Sequence, residues 1–593
     1  MRAVLLSLAA LGLLLTLTAV PGVYTIDENN YLSTVVAARH GAVSLPGTQG
    51  LPASFELYWF DPFPRGQSAP RSPAPTVAPP LYALFALPFS LLGWRGLVGL
   101  NTLAFLVCAW LVFVYASAGA THRSTAWLAL GAFTLGAFNL GYAQDVWPHM
   151  LSVALTLGGL YCLSRLRAGA GAWSGALGGA LLGLAVGVRY QNIALAGFAG
   201  VGLVLLAERR ARAVGSFLSG LLFPLLACSF INHLRTGSWH PFNKAPGYTQ
   251  LSGATLTSKA QLESLGTLWA KLVDFSAHPP IVGVPLGPVP AGEVASWGWN
   301  PSLLGAFLWH GGMKKALLQS SPWILLALIV MAFAWRGLEG MAEAQRRELK
   351  AMSLVTAGML AVIAAGGYSR QDGLCFNQRY LLEVVPLACI ALAWGVERLR
   401  PGALPLLAGM GLSGGLAAGA LLSEPGSFFR TLLLLKAPLV LGGLLGLSWL
   451  LARRRIAFVR PTAMLLGACL MWALAIHLGD DLPPNRRLRA YNLEQTQLYS
   501  RLIEGPSALI AFGATKDAAG PLLLSKDLVI VDPLVDGGAD TPLLVEGLLN
   551  SGRRVYLDLS RFPHPLFEEL QRRFLVSVVA PGRDPIVELL RKV

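Results

Sequence analysis

The chain opens with an apolar run, VLLSLAALGLLLTLTAV at residues 4–20, followed directly by PGVYTIDENNY at residues 21–31. A run of this length can cross the roughly 30 Å hydrocarbon core of a bilayer as one helix. It could instead be a cleavable signal peptide, but no clear small-x-small cleavage site precedes Pro21, which favours a retained anchor. The sequence therefore predicts a first spanning helix that brings two adjacent carboxylates, Asp27 and Glu28, to the membrane boundary.

Similar apolar runs recur along the first 480 residues and indicate the class of the protein. Hydrophobic residues make up 54% of the 593 residues and charged residues only 13%, against about 25% charged residues in a soluble protein. Backbone polar groups in lipid must be paired within the protein, so these runs should be helical. We expect an α-helical polytopic membrane protein with about thirteen transmembrane helices in a domain of residues 1–480.

The basic residues predict how the chain is oriented. The net charge of +15 would suit a nucleic-acid partner, but many Lys and Arg residues lie in short loops between apolar runs, as the positive-inside bias requires. With Arg2 in the cytoplasm, every loop assigned inside carries basic residues, and the long loops at residues 21–95 and 233–321 fall outside. The short run at residues 81–92 is then interfacial or re-entrant. We expect a plasma (inner) membrane protein without a nucleic-acid partner, with a cytoplasmic N-terminus and an extracytoplasmic C-terminus.

The last part of the chain, residues 481–593, changes to a soluble pattern. Short β-like runs alternate there with helical stretches, the runs at 508–512, 528–531, 554–559 and 575–579 and the helices at 541–550 and 565–573. That alternation predicts a small α/β domain on the outer side. Since the domain has no GxGxxG or phosphate-loop motif, a structural or acceptor-docking module is favoured over a second active site.

Two acidic features lie on the predicted outer side. A carboxylate at Asp27 or Glu28 suits the deprotonation or orientation of a sugar acceptor, because partial desolvation raises its basicity; the alternative is that Asp27 caps a helix. Asp145 and His149 lie at the next outer turn and would share a helix face if the helix has begun there. They fit an acceptor-orienting role, a role with Asp27 around a divalent cation such as Mg²⁺ or Mn²⁺, or an interfacial anchor beside Trp147.

Basic residues also lie on the outer side, where the positive-inside bias does not require them. They are Arg189 after an outward span, Lys244 in the second long loop, and Arg379 with Tyr380 at the start of an inward span. A lipid-phosphate leaving group develops negative charge, which fixed cations stabilise, and Arg can bind it with two hydrogen bonds. For each residue alone, a headgroup contact or a salt bridge is the alternative.

This combination resembles the GT-C superfamily of integral-membrane glycosyltransferases, in the branch of the protein O-mannosyltransferases and the lipid A aminoarabinose transferase. Members show an acidic pair after the first helix, a long outer loop with juxtamembrane helices, and a second acidic site before the fourth helix. Here these correspond to Asp27 with Glu28, to residues 21–95, and to Asp145. The stretch FNQRYLL at residues 376–382 resembles the Arg-Tyr segment that starts a late helix in many bacterial members.

The resemblance implies inverting transfer of a sugar from a polyprenyl-phosphate-linked donor to an envelope glycan, lipid or protein acceptor. It implies that Asp27 acts as base or acceptor-orienting residue with Glu28 beside it, and that Arg379 binds the donor phosphate. Arg189 departs from the Lys often seen near the fifth helix, and Lys244 matches no motif. Metal use varies across the superfamily, so it cannot be carried over from the resemblance, and a divalent cation stays open.

Two other functions fit parts of the sequence. A lipid or glycan transporter or flippase would place polar residues within its spans near the bilayer midplane. Here the midspan positions are almost wholly apolar, the ionisable residues cluster at the outer ends, and no clear inverted repeat is visible. A non-catalytic envelope-assembly scaffold would instead use residues 481–593 as its binding module. The clustering favours chemistry at the membrane surface over both.

Overall fold

The structure, a computed structural model, is mostly helical in the residues that it describes, and these also include a sheet built mainly from C-terminal strands. The residues it describes are 2–45, 56–57, 76, 78–242, 317–337, 341–365, 379–397, 399–400, 402–423, 437–511, 514–532, 541–560, 562, 564–581 and 585–592. Most of the predicted outer loop at residues 233–321, including Lys244, lies outside these ranges.

The first part of the chain forms ten helices within the described ranges. They are α1 (Arg2–Thr18), α2 (Ile26–Arg39), α3 (Tyr82–Ser90), α4 (Gly93–Gly119), α5 (Arg123–Thr134), α6 (Asn139–Tyr142), α7 (His149–Arg167), α8 (Ala172–Val188), α9 (Asn192–Leu206) and α10 (Arg210–Thr236). α2 begins at a capping box, in which the Thr25 hydroxyl accepts from the backbone N–H of Asp27 and the Glu28 carboxylate accepts from that of Thr25. This cap fixes the start of α2 just beyond the first apolar helix.

The helices of the second part follow in the same way. They are α11 (Leu317–Ser320), α12 (Ile324–Arg336), α13 (Glu343–Ala365), α14 (Val385–Glu397), α15 (Ala403–Leu422), α16 (Ala437–Ala452), α17 (Val459–Ile476), α18 (Leu482–Leu502), α19 (Ala514–Ala519), α20 (Thr541–Asn550) and α21 (His564–Arg573). A 3₁₀ turn, Arg379–Leu381, precedes α14, and a π-helical turn, His477–Asp481, joins α17 to α18.

Several helices have the length and composition of membrane spans. Among the described residues, four helical stretches are long and apolar enough to cross a bilayer: α4, α10, α15 and the stretch Ile456–Leu502. Six shorter apolar helices accompany them, namely α1, α8, α9, α12, α14 and α16. α3 has nine residues and extends only about 14 Å, so it is too short to cross alone. The count of about thirteen spans and their sidedness stay predictions.

Helices α8 and α10 pack closely because glycines remove the side chains between them. A Cβ on Gly179 would lie 2.0 Å from the carbonyl oxygen of Phe217, and one on Gly220 would lie 1.8 Å from that of Ala176. Small residues of this kind allow membrane helices to approach at backbone distance, where van der Waals packing drives association. The glycine-rich composition of α8 is therefore a packing feature.

We expect Gly220→Ala to destabilise the folded protein by about 1–3 kcal/mol, because the added methyl group forces α8 and α10 apart. Thermal unfolding in detergent, followed by circular dichroism, measures this effect. Gly215→Ala is the matched control, since its Cβ meets nothing within 4 Å on the same helix. Equal melting temperatures for Gly220→Ala and the wild type would show that this crossing is not tightly packed.

A buried ion pair lies at the end of α7 away from His149. The Arg167 guanidinium donates to both oxygens of Glu348 at 2.8 and 2.6 Å, and the Tyr115 hydroxyl donates to Glu348 Oε2 at 2.8 Å. Arg167 and His149 are the last and first residues of α7, so a rise of 1.5 Å per residue separates them by roughly 27 Å. This cluster joins α4, α7 and α13 and is remote from the outer acidic residues.

The sheet has six strands in the order β1-β3-β2-β4-β6-β5. They are β1 (Glu56–Leu57), β2 (Ser507–Ile510), β3 (Leu528–Asp532), β4 (Arg554–Asp558), β5 (Phe574–Ala580) and β6 (Ile586–Arg591). β2 pairs in parallel with β3 and β4, whereas β6 pairs antiparallel with β4 and β5. The four predicted β-like runs correspond to β2 to β5. The sequence did not indicate β6 or β1, and β1 comes from the first long loop.

Candidate active site

Asp27 and Arg379 form the centre of the site. Asp27 follows the first helical residue of α2, and Arg379 begins the 3₁₀ turn before α14. Arg379 Nη1 donates to Asp27 Oδ2 at 2.5 Å. The Asp27 side chain keeps 34% of its exposure and the Arg379 side chain 14%, so a substrate can reach both groups. Two residues that the sequence singled out for different reasons therefore lie in direct contact.

The neighbouring carboxylate, Glu28, is buried and bonded on both oxygens. Its Oε2 accepts from the backbone N–H groups of Tyr24 and Thr25. Its Oε1 accepts from the backbone N–H of Val146 and from both Arg489 Nη atoms, each at 3.1 Å. Glu28 therefore joins the turn before α2 to the turn before α7, and both to α18.

Asp145 lies in the turn before α7 and is completely buried. Asn101 on α4 holds this turn, because its amide donates to the Asp145 carbonyl at 2.9 Å and to the Trp147 carbonyl at 2.5 Å. Asp145 Oδ2 is buried with no hydrogen-bond partner among the described residues. Burial raises the pKa of the Asp145 carboxyl well above its usual range, the positive charge of Arg489 opposes the rise, and the charge of Glu28 adds to it.

His149 lies among aromatic rings at the start of α7. Its ring centroid is 4.9 Å from that of Trp147 and 5.0 Å from that of Tyr142, and neither ring nitrogen has a partner in the part of the chain that is described. The Arg379 guanidinium lies 5.0 Å from the Trp147 ring centroid, within cation–π range. Because α7 begins only at His149, Asp145 and His149 do not share a helix face.

Arg189 is part of a second, deeper ion pair. Arg189 Nη1 donates to Glu383 Oε1 at 2.5 Å, and the two side chains are 5% and 0% exposed. The Ser152 hydroxyl donates to the same Glu383 oxygen at 2.9 Å, and the Asn192 amide donates to Ser152 Oγ at 2.7 Å. Glu383 follows Arg379 by four residues, so one segment supplies a partner to Asp27 and a partner to Arg189.

Two of the predicted phosphate-binding residues, Tyr380 and Lys244, lie partly or wholly outside the described part of the chain. The backbone of Tyr380 lies in the same 3₁₀ turn as Arg379, and its side chain is outside the described part. Lys244 lies wholly outside the described residues. The predicted role of each in donor binding therefore rests on sequence.

Sequence reasoning missed three residues that organise the site, Asn101, Glu383 and Arg489. Glu383 lies at the edge of the apolar helix α14, and an ionisable residue in such a place is a functional candidate that the sequence could have signalled. Asn101 lies within the apolar helix α4, where a buried amide needs a partner. Arg489 lies after the predicted domain boundary, in a basic amphipathic helix that gave no reason to connect it to the membrane domain.

The sequence left a divalent cation open, and the described residues offer no cluster of side chains for it. Within them, no group of three or more His, Cys, Asp and Glu side chains lies close enough together to hold a metal ion. Asp27 is bonded to Arg379, whereas the Asp145 carboxylate faces Asn101 in a separate buried turn. Because Mg²⁺ is often held by only one or two carboxylates together with substrate phosphates, the cation stays open.

Comparisons with known proteins identify the fold. No family model matches the chain, and no curated protein sequence matches it. Its fold is similar to that of the crystal structure of ArnT from Cupriavidus metallidurans bound to undecaprenyl phosphate, with a TM-score of 0.53 and 14% identity over 98% of this chain and 97% of that chain. The apo state of the same protein matches over the same shares with a TM-score of 0.50 and 14% identity. The GT-C fold that the sequence resemblance predicted is confirmed.

Proposed function

We propose that this protein is a GT-C glycosyltransferase of the plasma (inner) membrane. It moves a sugar from a polyprenyl-phosphate-linked donor to an envelope glycan, lipid or protein acceptor at the outer face. The observation that carries this proposal is the partly exposed contact between Asp27 and Arg379, a candidate base beside a candidate phosphate ligand. The fold supports the donor class, because a similar structure was solved with undecaprenyl phosphate bound.

Asp27 is the general base of the proposed reaction. Its carboxylate accepts the proton from the acceptor hydroxyl or amine as that group attacks the anomeric carbon of the donor sugar. The bond between the anomeric carbon and the phosphate oxygen breaks, and polyprenyl phosphate leaves with the electron pair. Attack from the face opposite the leaving group inverts the anomeric configuration. Glu28 supports Asp27 by holding the start of α2.

Arg379 stabilises the leaving phosphate. Negative charge grows on the phosphate oxygens as the bond breaks, and a fixed guanidinium aimed at them lowers the barrier. The donor phosphate competes with Asp27 for Arg379, so donor binding releases the Asp27 carboxylate to accept a proton. Arg189, Tyr380 and Lys244 are proposed as further groups on the donor side. Of these, Arg189 acts through its buried pair with Glu383.

Asp145 and His149 are proposed to face the acceptor. A carboxyl group with a raised pKa is protonated over a wider pH range and can then donate a hydrogen bond to an acceptor oxygen. The His149 ring nitrogens, buried and without a partner among the described residues, offer one donor and one acceptor in the neutral imidazole. This assignment gives the two residues the acceptor-orienting role rather than a cation-binding one.

We expect purified protein in nanodiscs to consume polyprenyl-phosphate-linked sugars and release free polyprenyl phosphate when an acceptor is supplied. Radiolabelled donors with envelope extracts as the acceptor source test this directly, and lipid chromatography measures the released polyprenyl phosphate. Donor that crosses the bilayer of proteoliposomes without being consumed would identify a transporter instead. No consumption of any donor with any acceptor would refute the transferase.

A further inference from the structure

Helix α18 is bonded to the turn that carries the proposed base. Arg489 is 3% exposed and donates from Nη1 to the Gly22 carbonyl at 2.7 Å, in addition to its two bonds to Glu28. The Asn492 amide, nearly one helical turn further on, donates to the Val23 carbonyl at 2.7 Å. A Cβ on Gly22 would lie 1.8 Å from the Arg489 carbonyl oxygen, so only glycine permits this approach.

The Glu28 carboxylate connects this contact to the second acidic turn. The same oxygen that accepts from Arg489 also accepts from the backbone N–H of Val146, directly after Asp145. Asp27 is the residue before Glu28, so displacement of the Glu28 carboxylate moves both acidic turns. Separating the two charges of a fully buried pair leaves each of them uncompensated, which is strongly unfavourable. The Arg489–Glu28 pair therefore opposes displacement of the two acidic turns.

The α/β domain is fastened to the same loop. The Thr496 hydroxyl of α18 donates to the Ala518 carbonyl at 2.6 Å, and the Asn29 amide of α2 donates to the carbonyl of Asp517 at 3.0 Å. At the far end of α2, Arg39 Nη1 donates to the Leu524 carbonyl at 2.8 Å. β1 of the first long loop adds to the edge of the sheet, where Leu57 pairs with Val531.

We infer that Arg489 is a positioning residue for sugar transfer, and that the C-terminal segment holds both acidic turns in their reactive geometry. This inference rests on the proposed function, because it assigns the position of Asp27 to Arg489. Arg489 contacts Gly22, Tyr24 and Glu28 in the turn that precedes and begins α2, so it acts on the geometry of the base and not on the substrate. A displacement of about 1 Å in a reacting group can cost roughly 100-fold in rate.

Arg489→Lys tests the inference while keeping the positive charge next to Glu28. Lysine replaces the planar guanidinium with a compact ammonium group, so it cannot reproduce the geometry of the three hydrogen bonds to Gly22 and Glu28. We expect kcat to fall roughly tenfold to 100-fold with the donor KM within about twofold of wild type, since the donor phosphate contacts other residues. Arg487→Lys is the matched control, because Arg487 is exposed on the same helix, and it should keep the wild-type kcat.

Asn492→Ala provides a second variant that removes one hydrogen bond and leaves the buried charges paired. We expect a smaller loss of kcat, about threefold to tenfold, in the same direction. A wild-type kcat in both Arg489→Lys and Asn492→Ala would overturn the inference and leave the transferase proposal intact. An equal rise in donor KM and fall in kcat, with a lower melting temperature, would indicate general unfolding and would also overturn it.

Amide hydrogen exchange separates this inference from the proposed function. Arg489→Lys should raise exchange in residues 22–31 and 143–147, while exchange in α7 and α8 stays as in wild type. Unchanged exchange in both turns would overturn the inference even if the wild-type protein transferred no sugar. If the wild-type protein transferred no sugar, faster exchange in both turns would still support the part of the inference that the C-terminal segment holds the two acidic turns, and the role in sugar transfer would fail with the transferase proposal.

Discussion

Asp27→Asn is expected to lower the transfer rate constant by roughly 100- to 10,000-fold, the contribution of a positioned general base. Asparagine matches aspartate in size and keeps an oxygen that can accept from Arg379, but it cannot take a proton from the acceptor. The measurement is single-turnover transfer from a radiolabelled polyprenyl-phosphate sugar, in which donor binding and chemistry are resolved. A loss confined to the chemical step identifies Asp27 as the base.

Donor binding distinguishes this result from misfolding. The substitution removes the carboxylate that competes for Arg379, so Asp27→Asn should bind polyprenyl phosphate as tightly as wild type or more tightly. Asp527→Asn is the control, because Asp527 is a 60% exposed carboxylate in the α/β domain, paired with Arg553, and its loss should leave the rate unchanged. A wild-type rate in Asp27→Asn would remove Asp27 from the catalytic step.

The sequence singled out Asp27 and Arg379 because membrane topology restricts where polar residues can lie. Counting loops placed Asp27 and Arg379 at the same outer ends of spans, although 352 residues separate them. It could not predict that they touch, since no local pattern encodes a contact between distant segments. Arg489 escaped for the same reason, because only Glu28, a partner far away in the chain, explains it. The position of Glu383 at the edge of an apolar helix could have singled it out, but its pairing with Arg189 could not be predicted.

The expectation that Asp145 and His149 share a helix face is wrong, and the reason is local and already present in the sequence. Pro148 disfavours a helical conformation in the residue before it, so α7 starts at His149 and Asp145 stays in a turn. The turn is what allows the Val146 N–H to reach Glu28.

The C-terminal sheet shows a different limit of prediction from sequence. Periodicity predicted β2 to β5 because each is a run of several β-favouring residues, and burial of β2 and β4 explains their apolar character. β1 has only two residues and exists through its pairing with β3, which no local signal can indicate. That strand is one of several contacts that tie the first long loop to the α/β domain, together with the Asn29–Asp517 and Arg39–Leu524 hydrogen bonds, and no local sequence pattern indicated any of them.

Arg379→Gln is expected to lower the transfer rate by roughly 100- to 1,000-fold, the cost of removing one preorganised donor to a developing anion. Arg379→Lys should lose less, about tenfold, because lysine keeps the charge but not the two-pronged geometry that matches phosphate. Both proteins should fold, since the Asp27–Arg379 pair is partly exposed and such pairs contribute about 0–1 kcal/mol to stability. Arg95→Gln, at an exposed site on α4, is the control for loss of a positive charge on the same predicted side.

The rate losses caused by Arg379→Gln and by Asp27→Asn should not be independent of each other. Arg379→Gln weakens donor binding as well as the chemical step, whereas Asp27→Asn impairs the chemical step alone. Residues in direct contact depart from additivity, so the double variant should lose less than the product of the two single losses. In Asp27→Asn the uncharged amide oxygen competes with the donor phosphate for Arg379 less strongly than the carboxylate does. If the rate loss of the double variant equals the product of the two single losses, Asp27 and Arg379 act independently. The proposed competition between Asp27 and the donor phosphate for Arg379 would then be wrong.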